Sequence, residues 1–184
     1  SLKFFELGNV YSYQPKEGDE NPENALKSYK ESAKLSMIIS GKGTQYWRNC
    51  VGEGHFFQLK GYLELLLKKM GVDIYSLEVA PAPGDLFAEG IEYSTRGGKR
   101  LAMMGTIAPA RVKAFGIKQP VFAAELSWDL LFDLYKKNKV KYKELPKFPE
   151  VKRDFALLLD ENVTFAQIRQ AAFSTEKRLL KQVS

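Results

Sequence analysis

Residues 55–70, HFFQLKGYLELLLKKM, place the strongest constraint on what this chain can fold into. Phe56, Leu59, Leu63, Leu66 and Met70 recur at three- and four-residue spacing, so a helix here carries one continuous apolar face. Tyr62 and Leu67 widen it. Lys68 and Lys69 fall in the last turn, where cations suit the helix dipole, and Gly71 supplies a stop. Such a helix must be covered by another layer, and the flanking segments offer strands to do so. His55, at the helix start, reads as a surface or capping residue rather than a base.

The strands are aromatic and β-branched. Residues 3–13 (KFFELGNVYSY), 35–40 (LSMIIS), 73–79 (DIYSLEV), 86–93, 99–106 and 120–126 (PVFAAEL) fit that description. Gly97-Gly98 joins the fourth and fifth as a hairpin. Asn21-Pro22 reads as the start of a short polar helix over residues 22–33, or of a partly ordered one, because asparagine caps and proline suits the first helical position. Pro109 opens a short helix that Gly116 ends, and Ser127 caps another running through Trp128, Leu131, Leu134 and Tyr135. Residues 154–160 (DFALLLD) predict a last strand, and Thr164 with Gln167 makes a capping box for a helix over 165–182. The pattern is α+β: antiparallel strands with interspersed helices.

Length and composition exclude several kinds of chemistry. The 184 residues suffice for one domain, or for one domain plus a fragment of another. A single cysteine, Cys50, rules out a disulfide framework and a cysteine-based zinc site, and a single histidine rules out a multi-histidine metal centre. No apolar run is long enough for a membrane helix, and no signal peptide is visible, so a reducing, cytoplasmic setting is expected. Ser1 stands where an initiator methionine would, so the chain is read as a possible fragment.

Candidate sites are few. Gly41-Lys42-Gly43 and Gly52-Glu53-Gly54 complete neither dinucleotide- nor phosphate-loop spacing and read as turns. Asp129 with Asp133 is a helix-surface pair, and Asp160-Glu161 is a turn; neither predicts a metal. Cys50 reads as a small packed side chain.

The net charge of +6 is more informative, because it is local. Residues 136–153, KKNKVKYKELPKFPEVKR, hold eight basic side chains against Glu144 and Glu150, which accounts for the whole surplus. Lys136, Lys137, Lys139, Lys141, Lys143, Lys147 and Arg153 could meet phosphates, with Tyr142 and Phe148 available to stack on bases. A solubilising connector reads equally well from the residues.

Several segments, taken in order, resemble the C-terminal part of the β subunit of bacterial phenylalanine–tRNA ligase. They are Phe4-Phe5-Glu6-Leu7-Gly8, Phe56-Phe57-Gln58-Leu59-Lys60-Gly61, Gly105-Thr106-Ile107-Ala108-Pro109, Pro120-Val121-Phe122-Ala123-Ala124-Glu125-Leu126, and Phe148-Pro149 with Arg153-Asp154. Ala108 stands where that family usually has histidine, and Ala80-Pro81-Ala82-Pro83-Gly84 follows its pattern only in part.

The resemblance implies a class II aminoacyl-tRNA synthetase-like antiparallel sheet with flanking helices over residues 1–135. It further implies a basic linker over 136–147 and the start of a truncated ferredoxin-like anticodon-binding domain over 148–184. It implies a non-catalytic role. The strand Phe5-Glu6-Leu7-Gly8 lacks the arginine that an active class II site uses to grip ATP, and no glycine cluster ending in arginine follows Leu126. No cofactor is expected here, ATP and Mg²⁺ belonging to the whole enzyme. The implied partners are the α subunit, in an α2β2 heterotetramer, and tRNA(Phe). The alternative is a stand-alone RNA-binding module acting through residues 136–153.

Overall fold

The computed structural model describes residues 2–14, 28–41, 55–138, 142 and 147–183. They fall into two units, Ser1–Lys141 and Tyr142–Ser184, each described by itself.

The first unit is built on one six-stranded antiparallel sheet. In chain order the strands are β1 (Leu2–Tyr13), β2 (Tyr29–Ser40), β3 (Glu78–Pro81), β4 (Phe87–Ser94), β5 (Arg100–Ile107) and β6 (Val121–Ser127). Across the sheet the order is β1-β2-β6-β5-β4-β3, so the last strand inserts between two earlier neighbours and joins two hairpins. Helices α1 (Phe56–Lys69) and α3 (Trp128–Lys137) pack on one face, and α2 (Pro109–Ala114) links β5 to β6.

Register explains the core. Leu35 pairs with Leu126, Met37 with Ala124, and Ala124 in turn with Met104, which aims these side chains at the helices. Leu59, Leu63 and Leu67 of α1 and Leu131 of α3 close over them and are completely buried. Each such leucine contributes roughly 1.5–3 kcal/mol through removal from water. A register shift near Tyr93 and Ser94 lets the consecutive residues Leu101 and Ala102 both be buried, as a bulge permits. The α1 face is the expected one except at Tyr62, which is exposed instead of widening it, and His55 caps the helix: its Nδ1 accepts the Gln58 amide at 3.2 Å.

Four expectations need correction. The polar helix expected over 22–33 gives way to β2 from Tyr29 onward, residues 22–27 lying outside the described residues. An unbroken ladder with β1, from Leu2–Ser40 to Tyr13–Tyr29, outweighs local propensity there. The strand expected at 73–79 begins only at Glu78, because the Asp73 side chain accepts the Tyr75 amide and sets a 3₁₀ turn over Ile74–Ser76. In the second unit, residues 154–160 lie in no strand, since no partner strand lies alongside them among the described residues. Helix α4 (Phe165–Thr175) carries the expected Thr164–Gln167 capping box but stops well before residue 182. The Glu176 carboxylate accepts the amides of Arg178 and Leu179 and turns the chain away; those bonds hold its carboxyl below the usual range.

Candidate functional surfaces

Three surfaces of the described residues could do chemical or binding work: the sheet face away from the helices, the β1–β2 hairpin, and the basic residues after α3.

Side chains alternate along strands, so the face away from the helices follows from the register. Glu92, Met103, Glu125 and Ser36 make one row across it, and Gly90, Gly105, Ala123 and Ile38 make the next. The glycine row leaves a hollow, but the chain fills it. A Cβ on Gly105 would lie 2.7 Å from the Phe87 ring carbon and 2.4 Å from the Glu89 carbonyl oxygen. The cations here are also engaged. Arg100 Nε donates to Glu92 at 2.7 Å, and Lys34 Nζ donates to Glu125 at 2.9 Å. A triphosphate needs open cations, and these two are each held by a carboxylate.

The β1–β2 hairpin has the opposite character: it is apolar and open. All of β1 is exposed, with Phe4 at 61% and Phe5 at 79% of their free surface. Leu2, Leu7, Val10, Tyr11 and Tyr13 continue the exposure along the strand. β1 lies at the sheet edge. β2 pairs with β6 only over residues 34–40, so residues 9–13 and 29–33 run past the sheet as a two-stranded ribbon. Tyr13 and Tyr29 pack ring to ring at 5.2 Å near its end. Tyr11 donates to Glu31, a bond that raises its phenolic pKa above the ordinary value. Between β1, β2 and α1 lies a groove of about 260 Å³, whose lining includes Phe4, Phe5, Met37, Leu59 and Tyr62. At its lip Lys3 Nζ donates to Tyr62 Oη at 2.9 Å.

The basic residues divide. Lys136 and Lys137 stand exposed in the last turn of α3, where Lys136 Nζ lies 4.4 Å from the Phe132 ring centroid. Lys147 and Arg153 are exposed in the second unit, as are Tyr142 and Phe148. Lys139, Lys141 and Lys143 lie outside the described residues, as do Cys50, Lys42-Gly43 and Gly52-Glu53-Gly54. Among the described residues no three His, Cys, Asp or Glu side chains gather as a metal would need, and no helix is long and apolar enough to cross a membrane.

Known proteins resolve the family. Residues 1–128 match the model of the phenylalanyl tRNA synthetase beta chain CLM domain. This chain belongs to the phenylalanine–tRNA ligase β-subunit family. It is 42% identical over 183 residues to the phenylalanine–tRNA ligase beta subunit of Bacteroides thetaiotaomicron, and 39% identical over 185 residues to that of Porphyromonas gingivalis. Those matches cover 99% and 100% of this chain but 22% of each relative, so the chain spans about a fifth of their length. Among solved structures, pyrrolysyl-tRNA synthetase from Desulfitobacterium hafniense aligns with a TM-score of 0.49 at 12% identity. That alignment covers 74% of this chain and 42% of the other, a likeness too slight to carry an argument.

Proposed function

We propose that this β-subunit chain is a non-catalytic docking module with a class II synthetase-like sheet, which packs against the catalytic α subunit in an α2β2 enzyme. ATP-dependent charging of tRNA(Phe) with phenylalanine, and the Mg²⁺ it uses, belong to the α subunit. Residues 1–135 form the module, and 136–147 a basic connector. Residues 148–184 begin an RNA-facing domain of ferredoxin-like plan. Lys136, Lys137, Lys139, Lys141, Lys143, Lys147 and Arg153 contribute to the tRNA contact through phosphate charge. The setting is cytoplasmic.

The observation that carries this reading is β1. A long edge strand with phenylalanines open on both faces presents unpaired backbone groups and apolar surface together, a combination that proteins ordinarily cover. The filled hollow under Phe87 and the paired Lys34 and Arg100 support the non-catalytic half of the reading. ATP–pyrophosphate exchange tests that half. The chain alone gives no phenylalanine-dependent exchange; robust exchange overturns the proposal.

A further inference from the structure

Resting on the proposed tRNA contact, we infer that Phe132, Tyr135 and Lys136 of α3 form a stacking platform for unpaired nucleotides of single-stranded RNA.

The two rings are offset and nearly parallel, with centroids 6.1 Å apart and planes 16° from each other. They sit three residues apart, the spacing that brings side chains together on one helix face. Both rings are partly open, Phe132 keeping 43% and Tyr135 48% of its surface, with the Lys136 ammonium over Phe132. Their neighbour Leu131 is fully buried and anchors α3 on the core, and Tyr135, one turn on, and Phe132, next to it, flank that buried face and leave part of their rings outside.

Charge selects the occupant. Lys136 holds its ammonium over the Phe132 ring, and Lys137 stands exposed beside it in the same turn. In sequence, the basic run continues directly through Lys139, Lys141 and Lys143. Two carboxylates share the helix, Asp129, which accepts the Ala33 amide at 2.9 Å, and Asp133, about a quarter turn from Phe132, so the cationic character lies at the C-terminal end of α3. The centre of a protein–protein contact is depleted of charge, whereas a strand of unpaired nucleotides needs π-faces for its bases and cations for its phosphates at one place. Duplex RNA keeps its bases stacked on one another and offers only the backbone, so it would engage the lysines and leave the rings idle.

The test uses the full chain and two probes: a twelve-nucleotide polyuridylate and an RNA duplex of equal length, each followed by fluorescence anisotropy across a salt series. Phe132→Leu with Tyr135→Leu removes the π-faces and keeps helix-compatible bulk. It should weaken polyuridylate binding about tenfold while leaving duplex binding and the salt slope unchanged. Lys136→Gln with Lys137→Gln should weaken both probes and flatten the salt slope by roughly 0.7 per lysine for the single strand. If the leucine pair binds polyuridylate as tightly as the parent, or loses both probes equally, the platform is overturned. Should the lysine pair still weaken both probes, the tRNA-contact reading survives that failure. If the parent binds neither probe, both fall. Equal thermal midpoints for parent and variants establish that folding is not what changed.

Discussion

At the residue scale, the most constrained positions are two facing glycines and one buried tyrosine. Gly90 and Gly105 pair across β4 and β5 with Phe87 lying against them, and the atoms nearest a new Cβ on Gly105 are backbone and ring rather than flexible side-chain ends. Gly105→Ala should therefore destabilise the fold by about 1–3 kcal/mol, read as a lower denaturant midpoint at unchanged slope. Tyr93 is buried and donates to Glu64 Oε1 at 3.1 Å. Burial, with the Glu64 carboxylate adding to it, pushes its phenolic pKa well above the ordinary 10.0. A value raised on folding means that its stabilising contribution is complete below about pH 10 and is lost as pH rises beyond it. Tyr93→Phe should cost about 1 kcal/mol at neutral pH and should make the alkaline decline above pH 10 shallower, measured by denaturant midpoints at a series of pH values. A decline of unchanged steepness would assign it to other groups. Neither position was visible beforehand: a glycine in a strand and a tyrosine in a strand look alike whether open or tightly packed, and only the register tells them apart.

At the element scale, what could be read depended on whether an element carries its own signal. Helix α1 has an apolar stripe, a cap and a glycine stop, and it forms as its residues dictate. Leu63→Ala in this helix should cost about 2–5 kcal/mol in a denaturant melt, since the site is sealed between helix and sheet. The β4–β5 hairpin was equally legible, because Gly98 takes the positive φ that its turn requires. Residues 29–33 were not, because their strand exists only by virtue of β1 lying alongside. Residues 154–160 show the converse case, an apolar run that remains outside any strand without a ladder to join. The candidate surfaces divide in the same way. The basic run was plain from charge alone. The exposure of β1 was not, because KFFELGNVY has the composition of a buried strand and its edge position follows from β6 inserting between β2 and β5. The Phe132–Tyr135 pair was hidden for a related reason: periodicity marks α3 as amphipathic but does not say which aromatics the core leaves outside.

At the scale of the whole molecule, the chain is a balanced core followed by a charged run. Its first unit buries one side of a sheet under α1 and α3 and leaves the β1 edge apolar and open. Open apolar edges are a liability in isolation and a docking surface in an assembly, so the account stands or falls on β1. Threonine retains strand propensity while removing the aromatic surface, which makes Phe4→Thr with Phe5→Thr the informative variant. The most direct measurement is co-purification of the intact β subunit, parent or variant, with the co-expressed α subunit. The parent should elute with α as one assembly, whereas the variant should retain its thermal midpoint but separate from α. A variant that assembles with α as tightly as the parent would contradict it.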